Sequence, residues 1–90
     1  MNRINKDIFT ARFPHLDIHG EYSAIADTLI KEFINDNYKI GNKTVIIIHG
    51  KGYGILKKKT HEILAQDSRI ESFNYNIPNM GETIVILKEK

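Results

Sequence analysis

The sequence predicts an α/β fold: a two-layer sandwich ordered β-α-β-α-β-β, with a mixed four-stranded sheet and both helices on one face. Three observations carry that expectation. Residues 15 to 19, His-Leu-Asp-Ile-His, alternate apolar and polar with the period of two that marks a strand. Two later stretches, opening near Glu21 and at Ile55, repeat apolar residues at three- and four-residue spacing, as amphipathic helices do. Between them Val45 to Ile48 is an unbroken β-branched, apolar run, the pattern of a strand buried on both faces.

Taken in order, residues 1–14 read as an N-terminal arm. They lack clear periodicity and end at Phe13-Pro14, and proline disfavours helix in the residue before it. Ile8, Phe9 and Phe13 are expected to pack on the body. Residues 15–90 then form one domain. The first strand puts Leu16 and Ile18 on one face and His15, Asp17 and His19 on the other. "EYSAIADTLIKEFINDNYKIG" follows, with Tyr22, Ala26, Leu29 and Phe33 as its apolar stripe and Ile25, Ile30 and Ile34 beside it. Gly41 is the expected stop. After the buried strand, "ILKKKTHEILAQ" sets Leu56, Thr60, Ile63 and Leu64 on one side of a second helix. "RIESFNYN" reads as a third strand, "IPNMGE" as a turn and "TIVILK" as a fourth strand. Two right-handed crossovers make the first three strands parallel, and the last folds back antiparallel.

Composition bounds the function. Ninety residues hold one core. A hydrophobic share of 41% and a charged share of 27% are ordinary for a soluble globular domain. There is no cysteine, which excludes disulfides and thiolate zinc sites. No apolar run approaches the ~20 residues of a membrane span, so the expected location is the cytoplasm, without a membrane partner. The net charge of +2 is a mild excess that does not by itself specify a polyanionic partner. Lys57, Lys58 and Lys59 are consecutive, either as a solvated helix face or as a grip on phosphate.

The chemistry-bearing residues gather at two strand ends. In open α/β sheets ligands collect beyond the carboxyl ends of parallel strands. His19-Gly20 ends the first strand and His49-Gly50-Lys51-Gly52 the second. If those strands are neighbours, Asp17 and His19 face the same rim as the loop. The loop continues to Gly54 and a helix follows. Glycines let amides approach a ligand closely, the helix N-terminus adds partial positive charge, and Lys51 adds a formal one. The spacing is neither that of the nucleotide P-loop nor G-x-G-x-x-G, so ATP or NAD is not expected. His15 and His19 lie ~13 Å apart on a strand, too far to share an ion. His61 reads as a surface histidine and Glu21 as a first-turn residue favoured by the helix dipole. Tyr53 suits either a stacked base or the edge of the core.

"LDIHG", followed about thirty residues later by "IIHGKGYGIL" with a helix between and another after, resembles the Smr (small MutS-related) domain from Leu16 to Leu87. The resemblance implies a fold similar to the C-terminal domain of translation initiation factor three. It also implies nucleic-acid binding and, in many members, endonuclease activity on DNA or RNA, with some members linked to stalled ribosomes. The family's L-D-x-H motif falls on Leu16, Asp17, Ile18 and His19. Its H-G-K-G motif falls on His49, Gly50, Lys51 and Gly52, with Gly54 and Leu56 matching the usual continuation. The family's glycine-rich turn, G-G-x-G-x-T, is here "PNMGET": Pro78 and Asn79 stand at the glycine pair, and Gly81 and Thr83 are kept.

Phosphodiester cleavage needs a proton donor, a proton acceptor and charge stabilisation. One confident carboxylate, Asp17, with Glu21 as a second candidate, is a poor cage for two metal ions. No cofactor is expected, with Mg²⁺ or Mn²⁺ left open. RNA carries its own nucleophile, which tilts the reading toward RNA. His19 is the expected acid or base and Asp17 its orienting group or a proton acceptor. His49 is either a second acid/base group or a substrate-binding residue. Gly50, Lys51, Gly52, Gly54, Lys57 and Lys58 are expected to bind phosphate. The alternative is a non-catalytic module that binds nucleic acid or the ribosome.

Overall fold

A computed structural model describes residues 11–52, 54–76 and 79–90, with Asn79 and Met80 described in their backbone alone. Ile8, Phe9, Tyr53 and Pro78, on which expectations were placed above, lie outside the described residues. The elements follow the expected order: β1 His15–Asp17, α1 Ser23–Lys39, β2 Thr44–Ile48, α2 Ile55–Ala65, β3 Ile70–Asn76 and β4 Asn79–Leu87. Among the described residues no helix is long and apolar enough to cross a membrane.

The sheet order is β1-β2-β4-β3. β1 pairs with β2 in parallel, His15 opposite Ile46 and Asp17 opposite Ile48. β4 is antiparallel to β2 and to β3. The first three strands therefore share one direction, as the crossovers require, and β4 slots between the second and third. Its position follows from composition. The two strands with β-branched runs, β2 and β4, take the centre. The edges go to the three-residue β1 and to β3, whose Glu71, Ser72 and Asn74 are exposed. Short or polar edges resist pairing with other chains.

Both helices cover the same sheet face. Ala26, Ile30 and Ile34 of α1 and Ile63 and Leu64 of α2 close on Val45, Ile47, Val85 and Leu87. Each fully buried Ile, Leu or Val side chain among these contributes about 1.5–3 kcal/mol. Ile46, on the other face, is also fully buried, so β2 is covered on both sides as its sequence predicts. An Arg69 fork onto Asp67 (2.9 and 2.7 Å) that also reaches Asn35 Oδ1 at 3.1 Å fastens the α2–β3 loop to α1.

Three expectations shift in detail. The stripe of α1 starts later than predicted. Tyr22 is the extended N-cap residue (φ −70°, ψ 149°), and it and Ile25 are exposed. The buried line is Ala26, Ile30, Ile34 and Asn37. Asn37 is tolerated there because its amide donates to Phe33 O and its oxygen accepts from Asn42, both at 2.8 Å. β1 ends at Asp17, so His19 stands just beyond the strand. Within the predicted turn over residues 77 to 82, Asn79 to Glu82 are strand. β4 begins at Asn79, paired with Asn76, and Glu82 is a ladder residue opposite Ile48. A buried carboxylate needs a donor, and Asn76 Nδ2 supplies one to Glu82 Oε1 at 2.9 Å.

Candidate functional site

The parallel pairing of β1 with β2 brings the two motifs together. The chain leaving β1 stays beside β2, with Ile18 N donating to Ile48 O at 2.8 Å. Ile18 is fully buried and anchors the segment from the core. Its neighbours Asp17 and His19 are exposed. His19 and the glycine loop then share a cleft of about 380 Å³, whose wall includes His19, His49, Gly50, Lys51, Gly52 and Lys57. The approach is close at one point. Gly50 has φ +86°, and a Cβ there would stand 3.2 Å from His19 Cβ. Only glycine fits that backbone beside that histidine.

Asp17 organises His19. Its Oδ1 accepts from the His19 backbone amide at 3.1 Å and from the ring at Nδ1 at 2.5 Å. A carboxylate partner fixes the proton on Nδ1, and Nε2 has no partner among the described residues. The same hydrogen bond is the main cause of two opposite shifts: the carboxyl of Asp17 is held below its ordinary range, and the imidazole of His19 is raised above its own. The hydrogen bond thus favours the ionised carboxyl and the protonated imidazole together. Asp17 itself is not part of the cleft wall, which gives it an orienting position rather than a reacting one.

His49 lies inside the protein beneath the loop. It is 4% exposed, and both ring nitrogens face partners within the protein. Nδ1 lies 3.1 Å from Gly50 O, and Nε2 lies 2.8 Å from Thr83 Oγ1. The carbonyl can only accept, so Nδ1 carries the hydrogen and Nε2 accepts from the Thr83 hydroxyl. Thr83 Oγ1 in turn stands 2.8 Å from His61 Nε2, which must donate. A single direction of hydrogen bonding thus runs from His61 through Thr83 and His49 to the carbonyl of Gly50. Burial is the first cause that lowers the pKa of both histidines, and His49 and Lys57 add repulsion at His61. Both rings are accordingly neutral at pH 7. His49 has no free nitrogen to offer a substrate; what it holds is the loop.

Backbone bonds hold the loop as well. The amides of His49 and Gly50 both donate to Gly81 O, at 2.9 and 3.0 Å. The amides of Lys51, Gly52 and the first-turn residues Ile55 and Leu56 have no acceptor among the described residues, as the start of a helix leaves them. Gly54, the N-cap of α2, has φ +84°, a left-handed turn that aims the helix at the cleft. Lys51 is exposed at its rim. Lys57 lies over the Tyr75 ring, 4.7 Å from its centroid, while Lys58 is exposed outside this cleft. Among the described residues no three His, Cys, Asp or Glu side chains converge as metal ligands. A larger cleft of about 530 Å³ lies between the helices near Asp67. Asp27 in its wall is paired to Lys31 and Lys59 at 2.8 and 3.5 Å, and Asp67 to Arg69 at 2.7 Å.

Sequence reasoning missed His61 and Glu82. His61 has no partner near it in sequence, because its partner arrives from β4 twenty-two positions later. The one available signal was the threonine kept in the altered turn motif, Thr83.

The Smr domain family model matches residues 16–88. Endonuclease MutS2 of Thermotoga neapolitana is 40% identical over 74 residues, covering 82% of this chain and 10% of that protein. Endonuclease MutS2 of Finegoldia magna is 37% identical over 90 residues, covering 97% of this chain and 11% of that one. The chain thus spans about a tenth of the length of these relatives. Among solved structures, the Smr domain of Thermus thermophilus MutS2 superposes with a TM-score of 0.81 at 31% identity, over 83% of this chain and 98% of that one. YdaL, a stand-alone small MutS-related protein from Escherichia coli, reaches 0.82 at 18% identity over 99% of this chain and 77% of its own, a likeness of fold.

Proposed function

The chain belongs to the Smr domain family, and from that membership we propose that it binds nucleic acid and cleaves phosphodiesters, with RNA as the favoured substrate. The relatives named as endonucleases support this reading. The observation that carries it is the Asp17-supported His19, with its free Nε2 beside a cleft that Lys51 and open backbone amides share.

A phosphate in that cleft meets an ammonium, the amides of a glycine loop and an imidazolium. Such donors are suited to the extra negative charge of a phosphorane. In RNA the 2′-oxygen attacks phosphorus and its proton passes to solvent. The bond to the 5′-oxygen breaks, and His19 Nε2–H protonates that oxygen as it leaves. The products are a 2′,3′-cyclic phosphate and a 5′-hydroxyl. Asp17 keeps the imidazole charged and oriented. His49, through Gly50 O, keeps the loop in place. A divalent ion is not required by this scheme.

One observation favours the alternative, a binding module without catalysis. The second histidine of the motifs is occupied internally, so the cleft offers a single free imidazole. Cleavage of matched RNA and DNA substrates, with and without chelator, separates the readings. The proposal predicts RNA cleavage that survives EDTA, falls at least roughly a hundred-fold in Asp17→Asn, and leaves binding nearly unchanged in that variant. In Lys51→Ala both binding and cleavage fall. Intact RNA and DNA under every condition, with salt-dependent binding preserved, would establish the binding module instead. Activity lost to EDTA and restored by Mg²⁺ or Mn²⁺ would defeat the metal-independent scheme.

A further inference from the structure

Beside the phosphate cleft, on the far side of Gly54 and Lys57, lies a second cleft of about 510 Å³ with a different chemistry. Its walls include Phe73, Tyr75 and His61. The His61 and Tyr75 rings are stacked, 4.9 Å between centroids and 27° between planes, and Phe73 packs on His61 at the same separation. This is a largely apolar, aromatic hollow on the surface, with Tyr75 38% exposed. None of the proposed chemistry uses it. Resting on the nucleic-acid reading above, we infer that this hollow is a nucleobase subsite: it takes an unpaired base of a single strand whose phosphate lies in the neighbouring cleft.

Two features point to a base rather than to a generic apolar ligand. The first is continuity. Gly54 and Lys57 belong to both walls, so a ligand with an anionic part and a flat apolar part, joined at short range, fills both. A nucleotide is such a ligand. The second is what now covers Tyr75. The Lys57 ammonium sits 4.7 Å from the ring centroid. A cation over an exposed aromatic face is worth roughly two- to five-fold in an equilibrium. A stacked base on an aromatic side chain is worth roughly five- to 150-fold. The base therefore displaces the ammonium, and Lys57 turns to the phosphate in the adjoining cleft.

The test uses two eight-nucleotide single strands that the proposed reaction cannot cleave, both 2′-O-methylated: one carrying bases and one fully abasic. The wild-type protein is expected to bind the base-bearing strand at least about ten-fold more tightly than the abasic one. Tyr75→Ala is expected to bring the first down to the level of the second, leaving abasic binding and its salt slope unchanged, and Tyr75→Phe to keep the preference. Equal wild-type affinities overturn the inference. So does a Tyr75→Ala variant that weakens both strands alike, which would mark Tyr75 as structural. If neither strand binds, the nucleic-acid reading fails first and takes the subsite with it; abasic binding without base preference sinks the subsite alone.

Discussion

Asp17 and His19 make a pair whose pH behaviour is readable from its hydrogen bond. The imidazole is raised above the ordinary histidine value of about 6.5 because the Asp17 carboxylate holds its proton. In Asp17→Asn that support is gone, and a titration of the His19 ring followed by NMR should return it toward the ordinary value. An unmoved titration would break the assignment of Asp17 as its supporting group. Because His19 acts as an acid in the proposed reaction, cleavage should decline as pH rises through its raised pKa. Any stability from the His19 side of the pair has the same sign, present below about pH 6.5 and lost as pH rises through the folded-state value, while the Asp17 side is lost as acid protonates its carboxyl. Thr83 carries a second residue-scale prediction. Thr83→Val removes the hydroxyl between two imidazoles and leaves His49 Nε2 buried without a donor, at a cost of about 1–3 kcal/mol. Denaturant unfolding should show that loss, with Thr83→Ser close to wild type; equal stability of all three would mean the hydroxyl holds nothing.

At the scale of elements, the glycine loop and the helix behind it make opposite predictions. Gly50→Ala must hold φ +86° and push a Cβ toward His19, costing about 1–3 kcal/mol and displacing His19 from the cleft. Thr60, by contrast, is fully buried in α2 with a hydroxyl that has no partner among the described residues. Thr60→Val keeps the shape and removes the orphan, so it should stabilise by about 1 kcal/mol and raise Tm by about 4–8 °C. A lower Tm would show that the hydroxyl is satisfied in solution. Element types were legible because period and composition agreed: "TVIII" could only be an interior strand, and Leu56, Thr60, Ile63 and Leu64 mark the buried side of α2 as predicted. The start of β4 was not. Asn79, Gly81 and Glu82 look like turn residues, and only long-range pairing, Asn79 with Asn76 and Glu82 with Ile48, makes this stretch strand. The meeting of His19 with the loop was legible, since it follows from two adjacent parallel strands. The internal partner of His49 was not, because Thr83 lies 34 positions along the chain and reaches it only once β4 pairs with β2.

For the molecule as a whole, the buried His49 and the half-buried His61 both weaken the fold in acid. Burial holds His49 and His61 below their unfolded values, so the unfolded chain binds more protons below about pH 6.5, and stability should fall as pH drops from there toward the lowered folded-state values. Thermal unfolding between pH 8 and 5 checks the sign; a Tm that rises on acidification would contradict it. Charge is also distributed to purpose. Lys31 and Lys59 share Asp27, and Lys43 lies 3.9 Å from both Glu71 and Glu89. Lys51, Lys57 and Lys58 have no carboxylate partner among the described residues and cluster around the loop. If those three lysines meet phosphates, single-strand affinity should fall with salt at a log–log slope of roughly −2.

The account turns on His19 and the glycine loop forming one anion site, and the most direct measurement is the titration of the His19 ring by NMR with and without a saturating 2′-O-methyl oligonucleotide. A phosphate seated between Lys51 and His19 lies against the imidazolium and favours its charged form, so the His19 pKa should rise further on binding. An unchanged His19 titration in a demonstrably saturated complex would place the strand elsewhere on the protein and contradict the site.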